Sequence, residues 1–167
     1  MIPNQKIRNS LRSRIIDGID DKHSINVRLA AVKAVNSITV DPSENFKALA
    51  PLVKIPELRE SAVRALLKIP RENRDLPSAE PLASFLVKFA EDTPTADRTS
   101  NAFVEAMQLA DQTLGLIPSE MSDRYRKRLS DVTVRVILIH TVGEEMRYDV
   151  PWFAVQAGTD IQIILKN

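Results

Sequence analysis

The chain has 167 residues, 44% of them hydrophobic and 27% charged, the make-up of a globular protein with room for one medium domain, or one small domain and part of another. A net charge of +1 gives no general case for nucleic acid or an acidic membrane surface as partner. The absence of Cys excludes disulfides, thiolate metal sites, a Cys nucleophile and covalent c-type haem attachment within these residues, and 10 Pro against 4 Gly favours helices with hard stops over an all-β fold.

The first 18 residues contain no apolar run of signal-peptide length, and nothing approaches the roughly 20 apolar residues of a membrane span. A complete protein with this start is expected in the cytoplasm, whereas a fragment would have its targeting signal upstream. Ile7, Leu11, Ile15 and Ile16 fall on one face of a first helix, which Gly18 and Asp20-Asp21 end. Ser24 is a candidate N-cap for a second helix over 25–38. Its wide apolar stripe, Val27 to Ile38, must bury on more than one side. Asp41-Pro42 predicts a third helix, with Pro at its first position, that Pro51 shortens or kinks.

Pro56 opens a further helix that Pro70 closes, and here an internal repeat emerges. Arg28, Ala31, Val32, Lys33, Ala34, Val35 and Ile38 recur 31 places on as Arg59, Ala62, Val63, Arg64, Ala65, Leu66 and Ile69. Small Ala residues let helices approach closely, while Val, Leu and Ile fill the seams. Self-similarity at this period, two helices to the unit, points to an α-solenoid. The pattern R-x-x-A-V-[KR]-A-[VL]-x-x-I resembles the second helix of a HEAT repeat. An ordinary helical bundle with coincidental Ala spacing is the alternative.

Residues 71–77 read as a polar connection, and Ser78 with Glu80 as the start of a helix whose inner face is Leu82, Phe85, Leu86 and Phe89. The longest helical pattern runs over 96–117, with Phe103, Met107, Ala110 and Leu114 inward and Ala106 alongside. Residues 119–130 form a short polar helix with Met121, Tyr125 and Leu129 inward. From residue 131 the period changes to alternation. A strand starting at Val132 and running through Ile139, a second around Trp152 to Gln156, a turn at Ala157-Gly158 and a last strand over 161–166 are expected.

The pattern M-R-Y-D-x-x-x-F-x-V-x-A-G-x-x-I-x-I-x-L-x-N, from Met146 to Asn167, resembles the opening strands of cupredoxins such as azurin and plastocyanin. On that resemblance Asn167 matches the Asn just before the first copper-ligand His, and the coding sequence is expected to continue in frame to that His. With no Cys, a His₂Cys copper site cannot form in this chain. The chain also looks like the mid-section of large secreted bacterial proteins of the planctomycete type, which join a sugar-dehydrogenase-like propeller, HEAT repeats, a cupredoxin-like domain and a c-type cytochrome. Residues 69–99 and 134–149 are similar to that architecture.

The resulting expectation is a mainly α chain: a HEAT-like α-solenoid over 1–128, then the first strands of a truncated cupredoxin-like β-sandwich over 129–167. It implies a periplasmic or secreted fragment, a scaffold inside a multidomain redox protein whose copper and haem c lie outside this chain. Its partners would be other domains of the same polypeptide, or a protein on the solenoid surface. A free-standing HEAT-type adaptor for protein–protein interaction is the alternative.

No catalytic, cofactor-binding or metal residue is assigned. His140 and His23 each lack companions at ligand spacing, and Met146 reads as core. The acidic pairs Asp20-Asp21, Glu91-Asp92 and Glu144-Glu145 read as solvated surface rather than acid–base machinery. The basic run Arg124, Arg126, Lys127 and Arg128 alternates with acids and reads as a solvated helix face. There is no GxSxG elbow and no Gly-rich phosphate loop.

Overall fold

Prolines and short polar caps divide the chain into helices, and the apolar stripes of those helices then select their neighbours. The computed structural model describes residues 5–35, 37, 40–132, 135–142, 147–148, 152, 154 and 161–166. Its helices are α1 (Gln5–Asp17), α2 (Ile25–Val35), α3 (Pro42–Leu49), α4 (Pro56–Leu67), α5 (Leu76–Asp92), α6 (Asn101–Leu114) and α7 (Ser119–Val132). The strands are β1 (Arg135–Val142), β2 (Arg147–Tyr148) and β3 (Ile161–Lys166). The chain is mainly helical.

Several sequence signals act where they stand. Gly18 follows the last turn of α1, and a Cβ there would sit 3.1 Å from the Cβ of Ala31, so the small residue allows α1 to close on α2. Pro51 ends α3 as an α-helix, and the chain tightens into a 3₁₀ turn, Ala50–Lys54, before Pro56 starts α4.

Other boundaries move. α5 begins at Leu76, not Ser78: the Asp75 carboxylate accepts from the Ser78 amide at 2.9 Å, and Pro77 sits in the first turn, where its missing N–H costs nothing. α6 begins at Asn101, capped by Ser100. Residues 95–97 form a separate 3₁₀ turn, so α5, at 17 residues, is longer than α6 at 14. Val132, expected to open the first strand, is the last residue of α7.

α2 packs against α4 and α4 against α6. The 3₁₀ turn after α3 packs against α4 and α5, α5 against both α6 and α7, and α1 against α2. One apolar cluster runs through these contacts, with Val32, Phe46, Leu49, Leu58, Leu66, Leu86 and Leu109 completely enclosed. Full burial of each such side chain is worth about 1.5–3 kcal/mol. Several repeated positions are buried alike, Val32 and Val63, Val35 and Leu66, Ala31 and Ala62 inside and Lys33 and Arg64 exposed, but Ala34 is half-buried where Ala65 is buried, and Ile38 lies outside the described residues. On α6 the expected Phe103, Ala106, Ala110 and Leu114 are buried, and Leu109 and Thr113 join them.

The strands form a sheet in the order β2-β1-β3. β1 pairs antiparallel with β2, Thr141 opposite Tyr148, and parallel with β3, from Arg135 opposite Ile161 to His140 opposite Lys166. Parallel neighbours need a crossover between them, so β1 and β3 are not a hairpin. Trp152 and Ala154, placed by alternation in a second strand, lie outside any strand, and the rest of 151–160 lies outside the described residues. No strand shares an extensive contact with a helix among the described residues.

Candidate functional site

Most of the side chains singled out by type are occupied in local structure. His23 Nε2 lies 3.2 Å from Asp17 Oδ2, and Lys22 Nζ also pairs with Asp17. Those hydrogen bonds, Lys22 first, hold the Asp17 carboxyl below its ordinary range. Asp20 Oδ1 accepts the Lys22 amide at 3.1 Å, a turn that fastens the α1–α2 connection. The pair Glu91-Asp92 divides. Glu91 receives Arg128 through two bonds, Nε at 2.8 Å and Nη2 at 2.7 Å, which joins α5 to α7, whereas Asp92 takes Lys88 on its own helix at 2.9 Å.

The basic run on α7 points to different partners. Arg124 lies 3.6 Å from Glu120, Arg126 3.9 Å from Asp111, and Arg128 stacks on Tyr125 besides binding Glu91. His140 is in β1, opposite Lys166. Glu144, Glu145, Met146 and Asn167 lie outside the described residues. No three His, Asp or Glu side chains gather as a metal cage among the described residues, nor is any helix long and apolar enough to cross a membrane.

The structure instead brings together arginines and backbone. Arg28 donates from Nε to the Ile19 carbonyl at 2.9 Å, and its repeat counterpart Arg59 donates from Nε to the Val53 carbonyl at 2.9 Å. Arg74 and Arg98 do the same with the carbonyls of Ile69, at 3.1 Å, and Thr93, at 2.9 Å. Each guanidinium thus holds the loop or turn that precedes it, satisfying a carbonyl that would otherwise lack a partner. The repeat pattern contained Arg28 and Arg59, but the spacing carried no sign that they clamp backbone.

Arg59 also defines a surface groove. Its guanidinium carbon is 5.6 Å from the centre of the Phe85 ring and 4.8 Å from that of Phe89, which in turn lies 6.1 Å from Phe103. The groove has a volume of about 620 Å³, an aromatic floor and charged lips formed by Lys88, Asp92 and Asp97. Phe85 and Phe89, expected as core, are only half-buried because this face of α5 is open. A smaller groove of about 350 Å³ is lined by Pro51, Pro77 and Pro81 between Lys54 and Asp75. In the smaller groove the Ser78 hydroxyl donates to the Asp75 carboxylate, the same group that caps the start of α5. Cation–π contacts, proline edges and flanking charges can hold an extended or aromatic segment. No protein-family model, curated protein or solved structure matches the chain.

Proposed function

We propose that this chain is a non-catalytic helical scaffold of the HEAT-like α-solenoid class, leading into the opening strands of a cupredoxin-like domain of a multidomain redox protein. The alternation of helix contacts carries the reading. α2, α4 and α6 touch in sequence as one layer, and the turn after α3, then α5, then α7 touch in sequence as the other. A linear stack of helix pairs has this arrangement, in which each unit meets only its neighbours. The equivalent burial of residues 31 apart and the shared carbonyl clamp of Arg28 and Arg59 support the same unit.

For the strand region, the support is the parallel pairing of β1 with β3 and the exposure of Ile161 and Ile163, which offer an apolar face for the second sheet of a sandwich. On this reading the protein works in the periplasm or outside the cell, and copper and haem c are held elsewhere in the longer protein. The aromatic groove beside Arg59 favours one second reading, a free-standing HEAT-type adaptor that receives a protein segment there.

Lysine cross-linking of the protein in its own cells, read by mass spectrometry, tests the proposal. The exposed Lys33, Lys54 and Lys88 should link to a copper- or haem-binding domain. Links only to proteins without redox cofactors would replace the redox scaffold with the adaptor. Links confined to this chain would overturn both.

A further inference from the structure

A basin of about 480 Å³ lies between the C-terminal ends of α4 and α6 and the side of α7. Four cations line it, Lys68, Arg71, Arg74 and Arg126, against one acid, Asp111. Arg74 is the unusual member. It is only 7% exposed, yet it makes no ion pair among the described residues. Its partners are neutral oxygens, the Ile69 carbonyl on Nε and the Gln112 amide on Nη2, and its Nη1 is buried with no hydrogen-bond partner among the described residues. Burial, reinforced by the charge of Arg71, pushes this guanidinium below its ordinary pKa. A buried charge without a counter-ion is an expensive arrangement that an anion relieves.

A structural explanation covers part of this. Arg71 donates from Nη2 to the Gly115 carbonyl, and a Cβ on Gly115 would stand 3.1 Å from that nitrogen, so the residue leaves space for the guanidinium. Cations at helix C-termini are in their favourable place. The charges do not balance, however. The ends of α4 and α6 contribute about half a negative charge each, and Asp111, already 3.9 Å from Arg126, contributes one more. Against four cations that leaves a surplus of about two. A surplus of that size, with guanidinium forks at hand and one donor unused, matches a dianionic oxyanion.

The geometry points to this basin as a binding site for the phosphate group of a small phosphorylated molecule. Arg71 and Lys68, both exposed, would meet the phosphate oxygens first. Arg74 lies beneath them with its Nη1 closed to solvent, and would act on the phosphate through its uncompensated charge rather than by contact. The volume exceeds what a bare phosphate fills, which leaves space for an organic portion over Leu67 and Pro70.

Calorimetric titration of the whole chain in chloride buffer tests this, with inorganic phosphate, glycerol 3-phosphate and succinate as probes. Saturable binding of both phosphates is expected, tighter for glycerol 3-phosphate, with succinate at least about tenfold weaker. Because Lys68 is exposed, Lys68→Ala should keep the wild-type melting curve, whereas Arg71→Ala gives up the bond to the Gly115 carbonyl and should melt slightly lower while still unfolding cooperatively. Each should weaken phosphate binding about tenfold, the loss expected for one charge-assisted hydrogen bond. Equal binding of succinate and phosphate would overturn the assignment to phosphate. No saturable binding of any probe, or full affinity in folded Arg71→Ala, would overturn the site itself.

Discussion

Single residues contribute through pairs that the chain brings together over long separations. Glu91 and Arg128 are 37 positions apart, and their bidentate bond fastens α5 to α7. The hydrogen bond from Arg128 lowers the Glu91 pKa from its ordinary 4.5 and raises that of the arginine. A depressed carboxylate contributes stability above its unfolded value and loses it as pH falls through the folded one. With 32% and 41% of the two side chains exposed, screening limits the pair to about 1 kcal/mol or less. Glu91→Gln should therefore unfold at lower urea than wild type near neutral pH, and the gap should close below pH 4.5. A gap that persists in acid would mean the pair acts by packing instead. Such partnerships left no trace in the sequence, where Glu91-Asp92 and the basic run read as solvated. Asp41 is similar. Its position before Pro42 identified the start of α3, but its φ of 47° and the lack of a side-chain cap bond were not legible. Nor did anything in residues 71–77, read as a polar connection, mark Arg74 as buried.

Elements were legible where apolar spacing and proline agreed. Pro42, Pro56 and Pro70 bracket α3 and α4 as expected, because a proline fixes φ and removes a donor whatever the tertiary context. Proline misled at Pro77, where it stands inside the first turn of α5 rather than before the helix. The recurrence of Ala and Val 31 places apart marked positions that are inside in both helices, Ala31 and Ala62, Val32 and Val63. Ala62 is completely enclosed, and α4 has α2 on one side and α6 on the other. Ala62→Leu should cost about 1–3 kcal/mol, the usual penalty for overpacking, in urea or thermal melts. Ala31→Leu, at 8% exposure beside the end of α1, should cost less. An equal cost at both positions would mean that the two seams are equally crowded.

At the scale of the whole molecule, a helical region and a small sheet are joined by α7 without extensive contact between them among the described residues. Among the described residues β3 pairs on one side only, with β1, and Ile161 and Ile163 are 37% and 48% exposed, with Trp152 at 80%. An open strand edge beside apolar side chains is a template for pairing with another copy. Sedimentation should accordingly show association that grows with concentration. A chain shortened after Val132 should remain monomeric and keep its helical circular dichroism. Monomers of the full chain at every concentration would contradict this. The alternation from residue 131 onward revealed strands, but alternation cannot give strand order, and the parallel β1–β3 register depends on a crossover that side-chain periodicity does not encode.

Arg98 reaches in two directions, from Nε to the Thr93 carbonyl at 2.9 Å and from Nη1 to the Val132 carbonyl at 2.6 Å. Val132 is where the helices end and the strands begin, so this one side chain is a mooring. A pull on the sheet enters the helical region at the corner between α5 and α6 as well as along α7. Cutting that mooring would turn the last turn of α7 into a peel point, where tension unzips the helix residue by residue instead of being shared across two elements.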